Sequence, residues 1–149
     1  MSSYFHAVRF AVVWLLVILA GRLIIGASVP YEQGTHFFSL VTFSYLAALF
    51  FGAFSRRLWG FRWSQAMLLG AAIAVSAQIL VILATLGSYL LGAETYFNHP
   101  TALNVEGPIP LGRALVVRLF GLVVNTIVAS IIALIGWAMG KLVPERVSA

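Results

Sequence analysis

The sequence contains no cysteine and no aspartate among its 149 residues. Without cysteine, the chain cannot form disulfide bonds, carry out thiol redox chemistry or bind a metal through thiolates. Without aspartate, it also lacks every mechanism that depends on a pair of aspartates or on an aspartate-ligated metal. Four glutamates and three histidines are therefore the whole inventory of side chains for acid–base chemistry.

Charge of either sign is scarce as well. Charged residues make up 9% of the chain and hydrophobic residues 62%, whereas a soluble domain has about 25% charged residues. Four apolar runs each approach or exceed the roughly 20 residues that cross a bilayer as a helix, and none alternates as a membrane β-strand would. We predict an all-α integral membrane protein with one domain of four transmembrane helices, at residues 7–27, 37–54, 65–92 and 113–140.

The distribution of Lys and Arg predicts the orientation of these helices. Arg56, Arg57 and Arg62 lie between the second and third runs, whereas the segments 28–36 and 93–112 carry glutamates and no Lys or Arg. Positive residues stay on the cytoplasmic side of a membrane. The pattern predicts an up-down bundle in a bacterial-type inner membrane, with both termini cytoplasmic and those two segments outside.

Two features of the chain have a second interpretation. The net charge of +5 could indicate a nucleic-acid partner, but the basic residues lie at helix ends, where they anchor a protein to anionic headgroups. The first apolar run could be a signal peptide, but it is long and contains Arg22, so we expect a retained helix. The expected partner is therefore the lipid bilayer, and no nucleic acid.

Polar and small residues inside the runs predict how the helices pack. Gly121, Gly136 and Gly140 recur with Asn125 on one face of the last helix, where another backbone can approach closely. Gln78 lies 13 residues into the third helix and Asn125 lies 12 residues into the fourth. Both therefore come near the middle of the bilayer, and we expect the two amides to face each other as packing contacts.

Two arginines inside the apolar runs are the strongest sign of a site. Arg22 and Arg118 each lie about five residues from the outer end of a helix, roughly 8 Å below the surface, and charge at that depth indicates a functional site. We predict a cationic pocket at this level. Its candidate ligand-binding residues are Arg22, Arg118, Ser88, Thr42, Glu94 and His99.

Three roles are open for this pocket. The arginines could extend to headgroups or pair with Glu32, Glu94 or Glu106, which would fix the outer loops to the bundle. They could instead hold the head of an anionic lipid or a quinone, or they could lie on the transport path of a small anion.

The loop segment "ETYFNHPTALN", from Glu94 to Asn104, would lie directly over this pocket. Tyr96 and Phe97 are suited to the headgroup level, and Glu94 is close enough in sequence to reach Arg118 or Arg22. We expect an ordered lid within the outer loop 93–112.

Cofactor and metal chemistry have little support. No nucleophile elbow, phosphate loop, zinc-protease helix or dinucleotide fingerprint occurs. His36 and His99 could ligate a haem or a chlorophyll, but both lie at the rim rather than deep inside a helix, and no pair of outer side chains has metal-ligand spacing on one helix. We expect no metal site.

These observations predict a non-catalytic membrane protein, a subunit or accessory of a larger complex or a homo-oligomer, with a lipid- or quinone-head pocket at Arg22 and Arg118. The alternative is a small dimeric transporter or channel for an anionic or neutral solute. A third class, an enzyme that modifies lipids at the outer face, would require Glu94 or His99 to point into the pocket.

Overall fold

The protein is all-helical in the computed structural model, which describes residues 2–34 and 39–142. Its helices are α1 (Ser2–Gly26), α2 (Tyr31–Gly34), α3 (Leu40–Trp59), α4 (Trp63–Leu90) and α5 (Leu111–Met139), with short 3-10 turns at Pro100–Leu103 and Gly140–Leu142. No strand occurs in this part of the chain. The predicted all-α class is confirmed for these residues. The predicted helix start at residue 37 and the candidate haem ligand His36 lie outside them.

Three helices are long and apolar enough to cross a membrane: α1, α4 and the continuous helical segment Leu111–Leu142 that contains α5. At 1.5 Å per residue, the 28 residues of α4 extend about 42 Å. The fourth long helix, α3, ends in Arg56 and Arg57, which lower its hydropathy. The lengths and composition indicate a protein integrated in a membrane.

Local sequence explains where the helices begin and end. The side chain of Ser39 accepts a hydrogen bond from the backbone N–H of Thr42 and caps α3, as serine commonly does. At the other end of α3, Gly60 adopts the left-handed conformation with φ of 64°, which glycine allows without steric cost. Pro110 precedes α5, and its fixed φ suits a helix start.

Helices α3 and α4 each contact all three of the other long helices. In contrast, α1 and α5 do not contact each other within the described ranges. The core beneath α1 consists of Ala7, Ala11, Leu69 and Ile73 together with Ala47 of α3. Small residues on α1 let its backbone come close to its neighbours while most of its large side chains point outward.

Close contact of helix backbones holds α3, α4 and α5 together at the end away from the Pro100 turn. A Cβ added to Gly136 would lie 2.2 Å from the carbonyl oxygen of Leu49, and one added to Gly140 would lie 2.5 Å from that of Ala53. A Cβ added to Gly52 would lie 2.3 Å from the carbonyl oxygen of Ala133, and one added to Gly70 would lie 2.5 Å from that of Ala129. The predicted small-residue face of the last helix therefore packs mainly on α3, and α4 contributes through Gly70.

The same end carries the arginines and tryptophans of the loop between α3 and α4. Trp137 donates through its indole N–H to the carbonyl oxygen of Phe61 at 2.7 Å. The guanidinium of Arg56 lies 4.5 Å from the ring centroid of Trp137. These contacts join the end of α3 and the α3–α4 loop to the end of α5.

Candidate ligand-binding site

A cavity of about 370 Å³ lies between the carboxyl-terminal part of α1, the middle of α4 and the first halves of α3 and α5. This volume is within the range of about 300–1,000 Å³ of small-molecule sites. Its wall includes polar side chains from several parts of the chain, and these are Arg22, Tyr31, Ser39, Gln78, Tyr96, Asn104, Arg118 and Asn125.

Arg118 holds the loop between α4 and α5 by hydrogen bonds. Its Nη2 donates to the carbonyl oxygen of Phe97 at 2.7 Å, its Nη1 to that of Ala102 at 3.4 Å, and its Nε to the hydroxyl of Thr85 at 3.2 Å. Thr85 is fully buried. The charge of Arg118 is thus solvated by backbone and hydroxyl oxygens rather than by a carboxylate.

Arg22 has no such partners. Its Nη1 is buried and forms no hydrogen bond with the described residues. The guanidinium lies over two aromatic rings, 5.4 Å from the centroid of Tyr96 and 5.7 Å from that of Phe97. Cation–π contact offsets part of the cost of burying a charge, but the donors of Arg22 remain available.

Tyr96 and Phe97 fix the loop onto the bundle. Both side chains are buried. The hydroxyl of Tyr96 donates to the carbonyl oxygen of Val29 at 2.6 Å, and its ring occupies the space that Gly34 leaves, since a Cβ there would lie 1.9 Å from the tyrosine oxygen. Phe97 packs with Leu40. The loop from Glu94 to Asn104 therefore packs on the bundle and contributes Tyr96, Phe97, Ala102 and Asn104 to the cavity wall.

Internal hydrogen bonds shape the start of this loop. The backbone N–H of Thr95 donates to Oδ1 of Asn98 at 2.8 Å, and Nδ2 of Asn98 donates to the carbonyl oxygen of Ala93 at 2.9 Å. The hydroxyls of Ser88 and Thr95 lie 2.6 Å apart. Ser88, a predicted ligand-binding residue, thus anchors the loop and does not line the cavity.

Two amides form the deep end of the cavity. Gln78 and Asn125 both line it, beside Gly121, so the predicted neighbours do come together. Asn125 Oδ1 accepts a hydrogen bond from the hydroxyl of Tyr45. Gln78 is 3% exposed, and its amide has no hydrogen bond to any residue of the described ranges. Gly121 contributes open space here, because no backbone approaches it closely.

The cavity wall contains no acidic side chain within residues 2–34 and 39–142. Glu32, Glu94 and Glu106 are exposed, and neither Arg22 nor Arg118 forms an ion pair with them. The expected reach of Glu94 toward the arginines does not occur: Glu94 is exposed, and the carbonyl oxygen of Phe97 accepts the hydrogen bond from Arg118 instead.

The other predicted residues lie nearby but outside the cavity wall. Thr42 is exposed on the first turn of α3. His99 stacks on Tyr31, with ring centroids 4.2 Å apart and planes 3° from parallel, and its Nδ1 has no hydrogen-bond partner among the described residues. Tyr31 thus lines the cavity, and His99 packs against the Tyr31 ring without lining the cavity itself. His36, the other proposed haem ligand, is outside the described ranges.

Thr85, which binds Arg118, is the site residue that the sequence did not predict. It lies seven residues after Gln78, and Arg118 lies seven residues before Asn125. Because α4 and α5 run antiparallel, a match of Gln78 with Asn125 implies a match of Thr85 with Arg118. This equal spacing could have predicted the contact between Thr85 and Arg118.

No group of three or more His, Cys, Asp or Glu that could hold a metal occurs in the part of the chain that the structure describes. The site can supply the guanidinium groups of Arg22 and Arg118, the phenol of Tyr31, and three amides, those of Gln78, Asn104 and Asn125. Such a set binds anions and hydrogen-bonding groups.

The fold and the cavity together define a class: an all-helical, membrane-integrated protein with a cationic pocket. Comparison with known proteins adds no relative, since no family model fits the chain and no curated protein or solved structure matches it.

Proposed function

We propose that this is a non-catalytic integral membrane protein, a subunit or accessory of a larger membrane assembly, which holds the anionic head of a lipid in the cavity between Arg22 and Arg118. The proposal includes four membrane-crossing helices in an up-down arrangement, a bacterial-type inner membrane, and a cavity that opens in the outer leaflet.

The uncompensated charge of the cavity is the observation that carries the proposal. Arg22 and Arg118 line the same cavity, and no glutamate lines the described wall. Two like charges in a medium of low dielectric constant are costly unless an anion joins them. Arg22, with its buried and unpartnered Nη1, is the group that would bind this anion directly.

An anionic headgroup fits these groups better than a quinone does. A quinone head is neutral, so it could accept hydrogen bonds from an amide but would leave both guanidinium charges uncompensated. A phosphate offers two or more oxygens to the planar donors of arginine.

The orientation rests on the distribution of charge. Arg56, Arg57 and Arg62 cluster where α3 ends and α4 begins, whereas the segment 93–110 beside the cavity carries Glu94, Glu106 and no Lys or Arg. By the positive-inside rule, the arginine-rich end is cytoplasmic and the cavity is outside.

Catalysis and transport have less support. An enzyme that modifies lipids needs a general acid or base beside the bound head, but neither Glu94 nor His99 lines the cavity. A transporter or channel needs a polar path through the other half of the bundle, where Gly52 and Gly136 bring α3 and α5 into backbone contact.

The assembly role rests on a second surface. An apolar groove of about 580 Å³ runs between α1 and α3, and its wall includes Phe10, Trp14, Phe43, Leu46, Phe50 and Met139. Several of these side chains are exposed by half or more. A helix of a partner subunit or of a second copy could cover this groove, and lipid would cover it otherwise.

Lipid retention during purification tests the proposed function. The wild-type protein should retain an anionic phospholipid through detergent exchange, and Arg22→Gln should reduce that retention by about tenfold or more. Arg9→Gln is the matched control, because Arg9 is an exposed arginine on the same helix. Retention of lipids in their bulk membrane ratio by the wild type, unchanged in Arg22→Gln, would contradict the proposal.

A further inference from the structure

Gln78 is the group in the cavity that anion binding does not explain. It is 97% buried by its 3% exposure, its amide is unpaired among the described residues, and it faces the cavity. No atom of Gln78 is among the fully buried polar atoms without a partner, so its amide is reached from the cavity. The amide is therefore available to form a hydrogen bond with a ligand at the deep end.

The distance between the two polar layers limits what that ligand can be. Arg118 and Asn125 are separated by seven residues of α5, which is about 10 Å along the helix. Gln78 and Thr85 have the same separation on α4, and Thr85 accepts a hydrogen bond from Arg118. The cavity thus has a cationic layer and, about 10 Å deeper, an amide layer.

We infer that the cavity recognises a phosphorylated polyol, with its phosphate at Arg22 and Arg118 and its hydroxyl groups at Gln78 and Asn125. This inference rests on the proposed function and specifies its ligand class. Hydroxyls both donate and accept hydrogen bonds, as amides do. A choline or ethanolamine head is disfavoured, because its cation would lie beside two arginines with no carboxylate on the described wall.

The open side of the cavity is suited to a lipid form of this ligand. Phe120 and Val124 of α5 line the cavity and are 72% and 39% exposed, and Val41 of α3 lines it opposite them. These apolar side chains border the gap between the two helices. An acyl chain attached to the phosphate would leave the cavity here and enter the bilayer.

Two lipids of equal charge separate polyol recognition from charge. Phosphatidylglycerol carries a diol on its phosphate, and phosphatidylmethanol carries a methyl group instead. We would measure the affinity of the full-length protein for both in nanodiscs of phosphatidylcholine. The wild type should bind phosphatidylglycerol about five- to tenfold more tightly, the size of one or two net hydrogen bonds.

Gln78→Met should reduce that ratio to about one and leave the affinity for phosphatidylmethanol within twofold. Gln33→Met is the matched control, since Gln33 is exposed on α2 and does not line the cavity. Glycerol 1-phosphate added in competition distinguishes the two sources of the ligand: displacement indicates a soluble polyol phosphate, and its absence indicates the lipid head.

The outcomes also separate the two proposals. If the wild type binds both anionic lipids equally, and both more tightly than phosphatidylcholine, polyol recognition is wrong and the proposed function stands. If neither anionic lipid binds more tightly than phosphatidylcholine, the proposed function is wrong as well.

Discussion

Arg118 donates a 2.7 Å hydrogen bond from Nη2 to the carbonyl oxygen of Phe97. A cation inside an apolar helix is thus compensated by the backbone of a loop that follows another helix. Arg22, whose guanidinium lies over the ring of the same phenylalanine, has only aromatic contacts. The two arginines should therefore respond differently to substitution.

We expect Arg118→Gln to destabilise the protein by about 2 kcal/mol or more, since hydrogen bonds to charged groups contribute roughly 1.5–3 kcal/mol each. Thermal unfolding in detergent and proteolysis of segment 93–110 would measure the loss. Arg113→Gln is the control, because Arg113 is exposed on the same helix. Equal stability of both variants would show that Arg118 does not hold the loop.

We expect Arg22→Met to change the stability of the lipid-free protein by less than about 1 kcal/mol. The substitution removes an uncompensated charge, which favours folding, and replaces the cation–π contacts with sulfur–aromatic contacts of similar size. The same unfolding assay applies. A loss as large as that of Arg118→Gln would mean that Arg22 has a structural partner.

The backbone contacts of α5 predict a contrast between two glycines. Gly136→Ala should cost about 1–3 kcal/mol, because its Cβ would lie 2.2 Å from the carbonyl oxygen of Leu49. Gly87→Ala should cost nothing, since no atom lies within 4 Å of a Cβ there and alanine favours helix. Urea or thermal unfolding in detergent would compare them. Equal costs would contradict this packing.

Tyr96→Phe should lower stability by about 1 kcal/mol, the usual contribution of one hydrogen bond. The lost bond joins the loop to the carbonyl oxygen of Val29. Tyr31→Phe is the matched control, because the hydroxyl of Tyr31 forms no hydrogen bond with another described residue. Hydrogen exchange of residues 94–104 would locate the effect, which should be absent in the control.

The lack of native cysteine makes the proposed orientation testable with single substitutions. Thr101→Cys and Ser64→Cys replace exposed residues in the loop over the cavity and at the arginine-rich end. In intact cells, an impermeant maleimide should label the first and not the second. The reverse pattern would place the cavity on the cytoplasmic side.

Much of this arrangement follows from helical spacing alone. The 3.6-residue period places Gln78 and Asn125 at one depth, and the two arginines at another, before any contact is known. The helical period carries no information on where the carbonyl groups of a loop lie. The carbonyl of Phe97 therefore could not be predicted as the partner of Arg118, and the acidic Glu94 was expected in its place.

The end of α3 illustrates a second limit. The apolar run predicts an end at Phe54, but α3 continues to Trp59. Arg56 and Arg57 are charged, so hydropathy excludes them, yet the helix extends until Gly60 provides a left-handed cap. Hydropathy reports the part of a helix that suits lipid, and cap residues determine where the helix itself ends.

The contacts of Gly52 and Gly136 have a mechanical consequence. Side chains can rotate out of the way on the nanosecond timescale, but a helix backbone can move only with the whole helix. The end of the bundle near these glycines should keep a constant cross-sectional area in the bilayer, while the end with Phe120 and Val124 can widen by rotamer changes. The protein should therefore be rigid at the arginine-rich end and deformable at the end with Phe120 and Val124. A change in bilayer lateral pressure should then alter the shape of the protein in one leaflet only.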